Sequence, residues 1–411
     1  MTYQEYQKTT LANGLTIISE HLPAVRSISL GVWIRTGTRF ENRDNNGVAH
    51  FLEHMIFKGT RRRSPRKIVR DIESLGGQIN AFTSKEQTCY HVEILDEHLP
   101  QAIDVLSDIL CRSSFPEKEI DKERSVILDE IQSVEDTPDE LAHEYFVEKL
   151  YPDNALGFPI LGSKETVSAI QRDDVLSFYK SQYVAKNIVI AAAGNVDHEK
   201  LVKFVSKKFQ FEEGDAPEAP PIPDRFNHGE YFVEKPIHQA HICMGVPSYH
   251  FGHENKYDLM VMNAILGGGM GSRLFQNIRE RHGIAYGIYS FFDFYFDSGL
   301  FGVYLGTDKK NIKNVFKLLA KEFSRLRDKA VSPKELREAK SQLKGNIVLG
   351  LESSAARMNR LAMLELYLDN FKKIDSVIEK IDAVTAESIL ATSHELLNPD
   401  KMLKVIFTPN H

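Results

Sequence analysis

The stretch Gly47-Val48-Ala49-His50-Phe51-Leu52-Glu53-His54-Met55-Ile56-Phe57-Lys58-Gly59 decides the fold and the chemistry together. On a helix, residues three and four apart share a face, so His50, Glu53 and His54 fall on one stripe about 100° wide. Val48, Ala49, Phe51, Leu52, Met55 and Ile56 cover the rest of the circumference, the pattern of a buried helix. Three ionisable groups on such a helix carry a large desolvation cost unless they are partnered. One reading is two buried imidazoles with satisfied hydrogen bonds and a glutamate capping a neighbour. The other is a divalent cation. Two imidazoles one turn apart can bind one zinc, and the carboxylate between them can take a proton from a zinc-bound water. The order His-x-x-Glu-His inverts the commoner zincin motif.

Around this stretch, the composition is that of a globular protein. The chain has 411 residues, too many for one core, which predicts two or more domains. Its net charge of −6 argues against nucleic acid or an anionic membrane as the main partner. Cys89, Cys111 and Cys243 are odd in number and scattered, the pattern of reduced thiols rather than a disulfide framework. Met1 to Gln7 is polar and carries no signal-peptide pattern, and no apolar run reaches membrane-spanning length, so the expected location is the cytoplasm.

Before the motif, Leu11 to Ile18 reads as a hairpin in which Asn13-Gly14 supplies two positive φ angles. Val25 to Arg35 is a β-branched strand, and Asp44 to Gly47 offers N-cap candidates for the His50 helix. Pro65 to Leu75 is a helix closed by Gly76-Gly77, and Gln78 to Leu95 alternates as two strands around Ser84-Lys85-Glu86. Helices follow from His98 and from Pro116, and Ile188 to Asn195 is an apolar strand. Glu212 to Asn227 then crowds Pro217, Pro220, Pro221 and Pro223 into an acidic segment, which reads as a linker.

Beyond the linker the pattern restarts. Ser29-Leu30-Gly31-Val32 has a counterpart in Cys243-Met244-Gly245-Val246, 214 residues on, and the helix at Pro116 recurs at Pro333. This self-similarity predicts an α+β fold of two homologous domains, each a mostly antiparallel sheet packed with helices. The expected division is 1–211 with the metal groups, 212–227 as linker, and 228–411 without them. The counterparts of His50, Glu53 and His54 fall near Ala264, Gly267 and Gly268, and that of Glu130 near Asn346. Gly267-Gly268-Gly269-Met270-Gly271 lacks the Gly-Lys-Ser/Thr ending of a phosphate loop, and its glycines read as flexibility.

A catalytic zinc takes three protein ligands and leaves one position for water. Glu130, on the helix opened by Pro116, fits as the third ligand, with Glu123 one face-repeat before it as support. Periodicity alone reads both equally well as surface glutamates. The combination is more specific. His50-Phe51-Leu52-Glu53-His54-Met55, Gly76-Gly77-Gln78-Ile79-Asn80-Ala81-Phe82-Thr83-Ser84, Glu123 and Glu130 together resemble the pitrilysin/insulinase superfamily of inverzincin metallopeptidases. Within it, the chain looks like the mitochondrial-processing-peptidase branch and its short bacterial relatives.

That resemblance implies a zinc endopeptidase with one Zn2+ per chain, held by His50, His54 and Glu130, with Glu53 as general base and Glu123 supporting the imidazoles. It implies that Asn80 and Ala81 lie on an edge strand that pairs with extended substrate backbone. It makes Glu140 and Glu144 an acidic pair receiving a substrate arginine, although position 144 is Asp in some relatives. It makes Arg279 and Tyr286 an Arg/Tyr pair that holds the substrate carbonyl; on their own they read as a helix-end arginine and a packed tyrosine. The implied substrate is an unfolded peptide or presequence-like segment cut near basic residues. Long members of the superfamily close a chamber with four such domains, so a two-domain chain is expected to form a homodimer, with Arg279 and Tyr286 supplied by the partner. Some relatives keep the fold as non-catalytic scaffold or assembly subunits, but these typically lose the metal motif retained here.

Overall fold

The computed structural model describes residues 6–222 and 226–410. The first five residues, on which most of the leader reading rests, and 223–225, within the expected linker, lie outside the described residues. Two compact units form. The first comprises residues up to Gln132, Phe158–Pro221 and Gly350–Phe371; the second comprises Ser133–Gly157, Ile222–Leu349 and the chain from Lys372 onward. The division at 212–227 follows the sequence repeat, whereas these units follow packing, so the two partitions differ.

The first unit holds β1 (Tyr6–Thr10), β2 (Thr16–His21), β3 (Ser27–Ile34), β4 (Gln78–Thr83), β5 (Thr88–Leu95) and β6 (Ile188–Gly194), in sheet order β1-β2-β6-β3-β5-β4. Only β2 and β6 run parallel; every other neighbouring pair is antiparallel. The second unit holds β7 (Gly229–Lys235), β8 (Ala240–Pro247), β9 (Gly287–Phe294), β10 (Gly299–Thr307) and β11 (Leu403–Pro409), in order β7-β11-β8-β10-β9, with β7 and β11 parallel. Apart from β1, each strand of one sheet has a counterpart in the same place in the other. Gly31 in β3 faces His91 in β5, as Gly245 in β8 faces Gly302 in β10, which carries the sequence repeat into strand register.

Both faces of each sheet are covered, so the inner strands are buried along their whole length instead of alternating: β6 and β10 have no exposed residue. In the first unit, α1 (Val48–Ile56), α2 (Pro65–Glu73), α3 (Leu99–Arg112) and α4 (Glu117–Glu135) build the main core with β3 and β5. The opposite face, Ile18, Trp33, Cys89 and Ala191, is covered by Met358, Leu361, Ala362 and Leu366 of the Ser354–Leu368 helix. In the second unit, α5 (Pro138–Leu150) plays that part, laying Leu141, Ala142 and Phe146 on Cys243, Val405 and Phe407. Each covering helix follows its half's proline-opened helix in the chain yet packs on the sheet of the other half, which accounts for the discontinuous units.

Two local expectations need correction. The first connection spans Leu11 to Leu15 rather than a two-residue turn, and only Gly14 has positive φ (91°). Asn13 instead accepts a hydrogen bond from the Leu15 N–H through Oδ1 (3.2 Å), closing the loop with its side chain. The glycine run is not merely flexible: a Cβ on Gly267 would lie 2.3 Å from the Ser290 N atom, and one on Gly268 would lie 2.7 Å from the Ala264 Cα. Close backbone approach requires glycine at both positions.

Candidate metal centre

Helix α1 begins at Gly47 and buries Val48, Ala49, Phe51, Leu52, Met55 and Ile56, leaving His50, Glu53 and His54 together on the remaining stripe. The two rings are 4.6 Å apart between centroids. Glu130, two turns after Glu123 on α4, brings Oε2 to 3.9 Å from His50 Nε2 and 3.7 Å from His54 Nε2. Donor atoms of the three residues lie within 4.8 Å of one another, the one such His/Cys/Asp/Glu cluster among the described residues.

The donors fit a cation. Burial, with His54 beside it, pushes the His50 imidazole down to about 3, so it is neutral at ordinary pH. His54 Nδ1 is 3.0 Å from Glu123 Oε2, and as the N–H donor in that bond it leaves Nε2 as a lone pair. Glu130 Oε2 is inaccessible to solvent and has no hydrogen-bond partner, and the same is true of His50 Nδ1. A carboxylate oxygen facing two imidazole nitrogens beyond hydrogen-bond distance is electrostatically unfavourable, and a divalent ion between them relieves it.

Around this cluster the structure places groups that sequence reasoning did not single out. Glu123, only 5% exposed, also pairs with Lys58 Nζ at 2.7 Å through its other oxygen. Lys58 and Glu123 lie 65 positions apart, so no local signal in the sequence pairs them. Thr83, at the end of β4, donates from Oγ1 to Glu53 Oε2 at 2.6 Å. Thr83 lies inside the motif stretch quoted above, so its presence was legible though its partner was not. Burial raises the Glu53 carboxyl above the ordinary carboxylate range, and the Thr83 hydrogen bond opposes that rise.

Asn80 and Ala81 lie on β4, the outermost strand of its sheet, opposite His91 and Tyr90 of β5. The Ala81 N–H donates to Asn80 Oδ1 at 2.9 Å, so a side chain holds this edge amide. The matching edge in the second unit is closed differently: the Ser290 N–H of β9 donates to Gly267 O at 3.3 Å, with Ser290 Oγ donating to Asn263 O. Gly267, near the counterpart of Glu53 in the sequence repeat, thus lets the chain fold down onto its own edge strand.

The remaining predicted residues belong to the second unit. Glu140 is exposed and Glu144 half-buried, one turn apart on α5. Arg279 is exposed on the π-helical turn Phe275–Arg281, its guanidinium 4.7 Å from the centre of the Phe275 ring. Tyr286 is 59% exposed while its N–H donates to Gly306 O at 2.9 Å, which pins the backbone and leaves the ring free.

The molecule thus combines a helix of paired imidazoles, an acidic helix beside it and a duplicated α+β frame. The chain belongs to the insulinase family, peptidase family M16: residues 16–164 match that family and 169–343 match its inactive domain. It is similar to the uncharacterized zinc protease YmxG of Bacillus subtilis, with 38% identity over 97% of this chain and 98% of that protein. An uncharacterized zinc protease of Streptomyces coelicolor is 40% identical over 97% of this chain and 89% of its own length. In fold, the chain is similar to a crystal structure of a protease from Helicobacter pylori, with a TM-score of 0.91 at 20% identity, covering 98% of this chain and 99% of that one. No helix among the described residues is long and apolar enough to cross a membrane.

Proposed function

We propose that the chain is a zinc-dependent endopeptidase acting on unfolded peptides or presequence-like segments. The observation that carries this reading is the convergence of His50, His54 and Glu130, whose Oε2 is buried without a hydrogen-bond partner, with Glu53 between the imidazoles and hydrogen-bonded to Thr83. A zinc ion held by these three residues supplies Lewis acidity and a water of lowered pKa. Glu53 takes the proton of the attacking water and later hands it to the leaving amine. Glu123 fixes the His54 ring through Nδ1, and Lys58 in turn holds Glu123.

The β4 edge binds substrate by strand addition: the Ala81 N–H leaves the Asn80 side chain and donates to substrate backbone. Only extended backbone can be gripped this way, which selects unfolded segments. Glu140 and Glu144 favour a basic residue near the cut, and the exposed Arg279 and Tyr286 hold the scissile carbonyl oxygen as negative charge develops on it. We assign these last two to the partner in a homodimer that encloses the substrate. The free cysteines Cys89, Cys111 and Cys243 accord with a reducing compartment such as the cytoplasm.

The test is hydrolysis of a quenched arginine-containing peptide, with and without a zinc chelator. Cleavage that disappears on chelation and returns with zinc supports the reading; chelator-resistant cleavage, or none of any peptide by zinc-loaded protein, contradicts it. Thr83→Val probes the base. Loss of the hydroxyl raises the Glu53 pKa further, and Glu53 must be ionised to act. The acid limb of the kcat/KM profile therefore moves to higher pH, and the rate at neutral pH falls about three- to tenfold. An unmoved limb would show that Thr83 does not tune Glu53.

A further inference from the structure

Helix α1 has no side-chain cap of its own, because its N-cap is Gly47, held at φ 97°. The first N–H groups of a helix need outside acceptors. Here they come from Glu41, six residues upstream: Oε2 accepts from the Gly47 N–H at 2.9 Å and Oε1 from the Ala49 N–H at 2.7 Å. The Asn46 side chain donates to the same carboxylate at 2.8 Å and to Pro159 O at 3.0 Å. A Cβ on Gly47 would come within 2.7 Å of Leu161 O, so the start of α1 is wedged between Glu41 and the loop at Pro159–Gly162. Glu41 itself is only 5% exposed.

We propose that Glu41 is a positioning residue for the metal centre, holding the first turn of α1 so that His50 meets His54 and Glu130. This inference rests on the zinc-peptidase reading above. The residue after Ala49 is His50, so a shift of the Ala49 amide passes directly to the ligand. A nine-residue helix has little stability of its own, and its first turn frays unless tied down. Burial pushes the Glu41 carboxyl up to about 7 despite its three hydrogen bonds and the nearby Lys85. The cost of burying this carboxylate is thus offset by the hydrogen bonds it accepts at the start of α1, and those bonds are what Glu41 supplies to the helix.

The test compares wild type, Glu41→Gln and Asn46→Ala, each zinc-loaded, by chelator competition for zinc, kcat and KM, and thermal unfolding. Glu41→Gln is expected to weaken zinc retention about tenfold and lower kcat by a similar factor, with KM within about twofold. Asn46→Ala leaves both helix amides bonded to Glu41 but loosens the carboxylate, and about a threefold loss in the same direction is expected. If Glu41→Gln does not fold, Asn46→Ala decides. Folded variants that keep wild-type zinc retention and kcat, even with lowered melting temperature, would make Glu41 a purely structural cap and overturn the proposal. A folded wild type that binds no zinc removes the reading beneath it, an outcome distinct from equal retention in all three proteins.

Discussion

Glu53→Gln is expected to lower peptide hydrolysis on the order of a thousandfold while zinc stays bound, the scale expected for loss of a positioned general base. The amide keeps the size of the carboxylate and can still accept the hydrogen bond that Thr83 donates at 2.6 Å, so the fold has little to lose. It cannot accept a proton from water. Glu53 is not one of the three clustered donors, so removing its charge leaves the ligand set intact. The check is a single-turnover assay on protein whose zinc content is measured in the same sample. A variant that retains zinc and a tenth or more of wild-type activity would remove Glu53 from the role of base.

Glu130→Gln has the opposite signature: metal and activity go together. Two imidazoles one turn apart on a single helix give only two ligands, and the third donor, a carboxylate oxygen, comes from another helix, 3.9 Å from His50 Nε2 and 3.7 Å from His54 Nε2. Without that carboxylate, zinc is expected to fall well below one per chain, and hydrolysis to fall to background. Chelation is expected to lower the wild-type melting temperature and to leave that of Glu130→Gln unchanged, since a ligand stabilises only the protein that binds it. A variant holding zinc as tightly as wild type would exclude Glu130 from the ligand set.

How much of this was legible follows from how local each signal is. The α1 stripe and the Glu123–Glu130 spacing are helix periodicities, and both residues of the pair emerge on one helix. The repeat at Gly31 and Gly245 survives as strand register, because pairing depends on the backbone. The partners were not legible. Glu41 to Ala49, Thr83 to Glu53 and Lys58 to Glu123 span gaps with no period, so only folding brings them together. The exchange of covering helices was equally hidden. An amphipathic helix records that it buries a face, not which sheet it covers, and α5 could be placed only by its contacts with Val405 and Phe407. The glycine run misled for a related reason: Gly267 is required by contact with Ser290, 23 positions on.

The most direct test of the account is X-ray absorption at the zinc edge of the purified wild-type protein, with metal content measured alongside. One zinc per chain, ligated by two imidazole nitrogens and carboxylate or water oxygen with no sulfur, is the predicted result. Folded protein without zinc, or zinc bound through the sulfur of Cys89, Cys111 or Cys243, would contradict the assignment of His50, His54 and Glu130.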